Sequence, residues 1–258
     1  MKHQPRTNEI PHVRSSRDVP GGHRITLELD AQSERVPGIL LLPDSADANG
    51  QRSPAALLLH GFTSRKERMA DGIGSALLTQ GVASLAIDLP LHGAREGSLQ
   101  ALSPRNPLQL VGAWRLAFAE DRHGLDYLAG LAAVDANRLA VVGYSLGAFL
   151  AVTVAANDPR VRAVVLAAGG DLPEQTPFAT LVRAFADPLS AVRKLAGRPL
   201  LMVNGRFDRT VTPVQAERLF AAAADPKELR WYQGGHWPPP GEIEYAASWI
   251  VRRGAGSG

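Results

Sequence analysis

Short apolar runs separated by longer amphipathic stretches dominate the middle of the chain. Residues 55–59, 82–87, 139–142, 161–167 and 199–203 are apolar on both alternating faces. Such runs predict strands in the interior of a parallel sheet covered by helices. Between them, Met69, Ile73, Ala76 and Leu77 recur at helical spacing, and Leu110, Trp114, Ala117, Phe118, Leu125 and Leu128 do so further on. Residues 213–224 and 241–252 predict the last two helices, with 229–232 as the final strand between them. Ahead of this pattern, 24–30 alternates apolar and polar positions, and 36–43 can return as its hairpin partner. The expected fold is therefore α/β: a mostly parallel central sheet with an antiparallel start and helices on both faces.

The ends lack this period. Residues 1–22, rich in Arg, His, Pro and Ser, predict an irregular N-terminal arm; 23–253 form the α/β domain and 254–258 a flexible tail. The strands at 161–167 and 199–203 are separated by more residues than a minimal crossover needs, which predicts a small lid at about 169–197. Its helix at 178–185 would carry Phe178, Leu181, Val182 and Phe185 on one apolar face, and 95–121 could supply a second wall.

Composition narrows the function. With 258 residues, 45% of them hydrophobic, the chain can bury a sizeable core. The absence of cysteine excludes a thiolate nucleophile and thiolate metal sites. A net charge of +3, with 28 basic residues scattered among 25 acidic ones, predicts a solvated mixed-charge surface and not a nucleic-acid-binding face. No apolar run suits a membrane helix and the polar start lacks a signal-peptide core, so the expectation is a cytoplasmic protein without a membrane partner.

The chemistry centres on Gly143-Tyr144-Ser145-Leu146-Gly147, set between the strand at 139–142 and a helix-like stretch at 148–156. A strand that turns sharply into a helix at serine presents the hydroxyl above the sheet edge, and flanking glycines let the backbone pass closely. Serine is a poor nucleophile near neutral pH, so Ser145 needs a base within hydrogen-bond reach and a carboxylate to orient that base. Loops beyond the carboxyl ends of later strands are the places to seek them. Asp208 follows the run at 199–203 and His236 follows the last strand, which gives the chain order Ser145, Asp208, His236. Taken singly, each has a duller reading. Ser145 could mark a tight turn, His236 a surface turn and Asp208 a helix cap, and Asp171 is a substitute acid. His60 and His92 have no metal-ligand spacing and are expected to hydrogen-bond nearby loops, while Asp88 ties down residues 89–96.

In order along the chain, His60-Gly-Phe-Thr-Ser64, Asp88-Leu-Pro-Leu-His-Gly93, the serine pentapeptide and the Asp208 and His236 loops resemble the α/β-hydrolase superfamily over residues 24–252. The closer likeness is to bacterial single-domain serine carboxylesterases related to dienelactone hydrolases and to the catalytic domain of prolyl-oligopeptidase-like enzymes. Ser145 stands where dienelactone hydrolases proper carry cysteine. The resemblance implies an oxyanion hole made by the backbone N–H groups of Phe62 and Leu146. It also implies no cofactor or metal, and a small ester as substrate of a monomer or homodimer. Phe62, Tyr144, Phe178, Phe185 and Trp237 are the candidate pocket walls, while Trp114 and Phe118 suit the core. The same machinery could serve a thioesterase, lactonase or aminopeptidase-like amidase, and a hydrolase-fold binding protein is the rival from another class.

Overall fold

The structure, a computed structural model, describes residues 11–31, 34–44, 52–95, 97, 107–172 and 179–254; the side chains at 107, 110, 179, 181, 182, 185 and 254 lie outside the description. Among these residues nine strands form one sheet: β1 (His12–Val19), β2 (Gly22–Asp30), β3 (Arg35–Pro43), β4 (Ser53–Leu59), β5 (Ala83–Ile87), β6 (Val134–Tyr144), β7 (Val161–Ala167), β8 (Leu200–Gly205) and β9 (Lys227–Tyr232). Their spatial order is β1-β2-β3-β5-β4-β6-β7-β8-β9. β1, β2 and β3 form an antiparallel meander that joins β5 antiparallel, and from β5 to β9 every pairing is parallel. The hairpin and the five apolar runs thus fall where the pattern places them.

Among the described residues, seven helical elements accompany the strands. The segment Lys66–Met69 continues through a π-helical turn at Ala70–Gly74 into Ser75–Leu78 and is treated as α1. The others are α2 (Pro107–Gly130), α3 (Leu146–Asn157), α4 (Ala179–Ala186), α5 (Pro188–Arg193), α6 (Pro213–Ala222) and α7 (Pro240–Gly254). Because β4 lies between β5 and β6, the crossovers β4 to β5 and β5 to β6 run in opposite directions across the sheet. Right-handed crossovers of opposite direction put their helices on opposite faces. Accordingly α1 packs with α7 on one face, through Ile73, Leu77, Ala247 and Ile250, while α2, α3, α5 and α6 fill the other through Leu125, Leu128, Ala151, Val192 and Leu219. The crevice opened by this reversal, beyond the carboxyl ends of β4 and β6, is where α/β sheets bind ligands.

Two expectations need correction. Residues 12–19, read as part of an irregular arm, form β1, an edge strand exposed along almost its whole length. Neither of its faces is buried, so it has no apolar alternation to betray it; ladder hydrogen bonds and ion pairs such as Arg14–Glu28 at 2.7 Å hold it on β2. Its polar side chains also protect the sheet edge from pairing with another chain. Within the expected lid at 169–197, α5 is no lid. Ala191 and Val192 are buried in the main core, and the helix starts on an Asp187 cap with Pro188 in the first turn. Phe178 lies outside the described residues, as does the side chain of Phe185, whose backbone belongs to α4.

Candidate active site

The pentapeptide occupies the junction of β6 and α3. Ser145 takes φ 53° and ψ −114°, a conformation that side chains normally avoid. A backbone bond from Ser145 N–H to the Ala167 carbonyl, 2.9 Å, helps to hold it there. The flanking glycines are required by space. A Cβ on Gly143 would sit 2.1 Å from the Gly147 carbonyl oxygen, and one on Gly147 would sit 2.1 Å from the Leu59 oxygen. Helix and strand can approach this closely only without side chains, and that approach lifts the Ser145 hydroxyl to the crevice.

Two later loops meet it there. Ser145 Oγ lies 2.9 Å from His236 Nε2, and His236 Nδ1 lies 2.7 Å from Asp208 Oδ2. A carboxylate only accepts, so Nδ1 carries the proton and Nε2 is left to accept from the serine hydroxyl. The other Asp208 oxygen accepts from the N–H groups of Thr210, 2.8 Å, and Val211, 3.1 Å. Burial pushes the Asp208 carboxyl up, but the hydrogen bonds from His236, Thr210 and Val211 outweigh it and hold the group below the usual carboxylate range. The loops are also tied to each other. Phe207 N–H donates to the Gly234 carbonyl at 2.9 Å, Tyr232 Oη donates to the Gly235 carbonyl at 2.8 Å, and a Cβ on Gly205 would strike the Gly235 oxygen at 2.1 Å. Asp171 sits elsewhere in the bonding scheme: its carboxylate binds Arg183 at 2.9 Å and its backbone pairs with Gln215.

The loop after β4 supplies the facing wall. His60 is fully buried; its Nδ1 lies 2.8 Å from the Gly61 carbonyl, and its Nε2 accepts from Leu89 N–H at 3.1 Å. Only the neutral ring protonated at Nδ1 satisfies both partners. Burial lowers its pKa to about 4, in keeping with that state. A turn closed by Ser64 N–H on the Gly61 carbonyl, 3.1 Å, with Thr63 at φ 59°, carries Phe62. Beneath it, fully buried Asp88 accepts from Lys66 N–H, Lys66 Nζ and Ala94 N–H at 2.8, 2.7 and 2.9 Å, binding the start of α1 to the loop after β5. Among the described residues, the N–H groups of Phe62 and Leu146 donate to no protein acceptor. Leu146 opens α3, where backbone N–H groups are left without intrahelical partners.

These elements enclose a cleft of about 440 Å³. Phe62, Tyr144 and Trp237 line it, together with Ser145 and His236. Phe178 and Phe185, the other expected walls, fall outside the described side chains. The sequence reading missed Thr63, Ser64, Arg68 and Thr210, which also line the cleft. Three of these lie inside motifs already singled out. Arg68 had no signal, because it sits on the solvent side of a helix read for its core face. Its guanidinium covers Trp237 at 3.7 Å, and Trp237 meets Tyr144 edge-on at 4.5 Å. Burial raises the Tyr144 phenol to about 12, so it stays protonated near neutral pH. Among the described residues no cluster of three His, Asp or Glu side chains could hold a metal ion, and no helix is long and apolar enough to cross a membrane.

Comparison with known proteins agrees with this architecture. A polyketide transferase of Stachybotrys chlorohalonatus, ATR5, is 32% identical over 165 residues, a match that covers 60% of this chain and half of that protein. An uncharacterised protein of Mycobacterium tuberculosis is 28% identical over 244 residues, covering 91% of this chain and 79% of the relative. Among solved structures, a cold-adapted esterase from an Arctic intertidal metagenomic library superposes with a TM-score of 0.73 at 20% identity, covering 93% of this chain and 97% of the esterase. Its likeness, at that identity, concerns the fold. The model of the alpha/beta hydrolase family matches residues 56–251, from β4 through α7, and the chain belongs to that family.

Proposed function

We propose that the chain is a serine hydrolase that cleaves small to medium carboxylic esters through an acyl-enzyme. The observation that carries this reading is the unbroken relay from Asp208 Oδ2 through His236 to Ser145 Oγ, at 2.7 and 2.9 Å, with the serine on a strained turn. Ser145 Oγ attacks the ester carbonyl carbon while His236 Nε2 takes its proton. Asp208 holds the ring in the tautomer that can accept and stabilises the imidazolium that forms. The carbonyl oxygen becomes negative and is met by the N–H groups of Leu146 and Phe62, each such donor contributing about 3 kcal/mol in comparable sites. Collapse breaks the bond to the alcohol oxygen, which leaves with the proton from His236. Water, deprotonated by the same Nε2, then attacks the acyl carbonyl; the acid departs and Ser145 regains its proton. The family membership and the esterase of the same fold support this reading.

The test is a panel of nitrophenyl esters of increasing acyl length beside a thioester and an aminoacyl anilide. Esters should turn over fastest. Ser145→Ala should lose at least about three orders of magnitude in kcat while melting like the parent. An organophosphonate should add once per chain, on Ser145; mass spectrometry finding the label on another serine sinks the assignment.

A further inference from the structure

A second, smaller cavity lies behind the wall of the cleft, between the sheet and helices α1 and α7. Ile73, Val142, Val165, Val203, Ile243 and Ala246 line it, and its volume is about 40 Å³. On this measure a single water needs about 10–15 Å³, so there is room for about three non-hydrogen atoms. A lining this apolar offers water few partners, and it forgoes dispersion contacts that a filled core would make.

Its position gives it meaning. Arg68, Tyr144 and Trp237 border both this cavity and the cleft that holds Ser145 and His236. Tyr144 immediately precedes the serine and Trp237 immediately follows the histidine. The partition is therefore one residue from each reacting group. It is also lightly held on one side: Arg68 is exposed, rests on the Trp237 ring at 3.7 Å and, among the described residues, forms no ion pair. Swinging that side chain into solvent removes a single stacking contact and leaves the relay untouched.

We infer that this cavity is the acyl-chain subsite of the ester hydrolase proposed above, and that it accepts an unbranched alkyl arm of two or three carbons past the Arg68–Trp237–Tyr144 partition. The inference rests on that reading of the site. A small apolar cavity suits the acyl part because it stays bonded to Ser145 through both half-reactions, whereas the alcohol must diffuse away after the first. The open cleft beside Thr63, Ser64 and Thr210 serves that exit.

The experiment is kcat/KM for nitrophenyl acetate, propionate, butyrate, hexanoate and octanoate in the parent and in Ala246→Leu, which fills the cavity from α7. Parent values should rise about fourfold per buried methylene up to butyrate and then level. In Ala246→Leu the butyrate-to-acetate ratio should fall from about fifteenfold towards unity, with kcat/KM for butyrate falling more than that for acetate. An unaltered ratio in a folded Ala246→Leu protein overturns the subsite. Should that variant not fold, a crystal structure of the parent carrying a butylphosphonate on Ser145 decides: the chain in the cavity supports the inference, and the chain in the open cleft overturns it. Absence of ester turnover and of phosphonate labelling would sink the ester-hydrolase reading and the subsite with it. Turnover with an unaltered profile sinks the subsite alone.

Discussion

Asp208 shows how one carboxylate serves two loops. One oxygen holds His236 and the other gathers the Thr210 and Val211 N–H groups, so orienting His236 and shaping its own turn are the same set of bonds. Asp208→Asn should keep the turn, whose donors an amide oxygen can still accept, but turn an NH₂ towards Nδ1 and favour the wrong tautomer. A loss around 10⁴-fold in kcat is expected by comparison with similar changes. Asp171→Asn should be mild in turnover, since Asp171 pairs with Arg183 and not with His236. Reversed outcomes would move the acid to the end of β7. Held below the usual carboxylate range, Asp208 stays ionised near neutral pH, the state the proposed relay requires.

At the scale of elements, the close contact of α3 with β4 sets the height of the serine. Gly147→Ala would drive a methyl into the Leu59 carbonyl, 2.1 Å away, and force the helix off the sheet. We expect a loss of about 3 kcal/mol in urea unfolding, with activity falling further than stability because Leu146 N–H moves with the helix. Gly112→Ala is the matching control. That exposed position in α2 has open space around it, so alanine should raise stability by up to about 1 kcal/mol and leave turnover as it was. Equal effects from the two substitutions would show that glycine flexibility, and not close approach, is what the elbow requires.

For the whole molecule, the buried groups under the cleft make stability depend on pH. His60 titrates near 6.5 when unfolded and at about 4 when folded, so between those values the unfolded chain binds more protons. Stability is unaffected above that window and falls as pH drops through it. His60 by itself should contribute a loss of roughly 2 kcal/mol from pH 7 to pH 5, approaching about 3 kcal/mol below pH 4, while Glu120 and Asp121, whose pKa values burial raises, act in the opposite sense. Asp208 has the same sign. Its depressed folded pKa contributes stability above the ordinary carboxylate range, which is lost as pH falls through the folded value. The change in urea-unfolding stability between pH 7 and pH 5 should differ by about 2 kcal/mol between His60→Gln and the parent, whatever the substitution does at pH 7. An unchanged slope would mean that His60 takes up its proton without unfolding.

Much of this architecture is legible in one dimension because the relevant signals are local. Interior strands must be apolar on both faces, so residues 55–59, 82–87 and 139–142 declare themselves. A glycine-flanked serine between strand and helix is likewise a short-range pattern, and the chain order of Ser145, Asp208 and His236 needs no distances. Where a segment's partners are distant, the signal disappears. β1 is held by its ladder to β2 and buries no face, so nothing in 12–19 distinguishes it from an arm. α5 is too short to show a helical period, and its burial depends on α3 and α6 packing against it. Which of Asp208 and Asp171 meets His236 is set by a contact across 28 residues, and the reach of His236 to Ser145 by one across 91. Likewise, Arg68 lies over Trp237 only because α1 and the loop after β9 converge beside the cleft. Periodicity records which face of an element is buried, and only packing determines which elements meet.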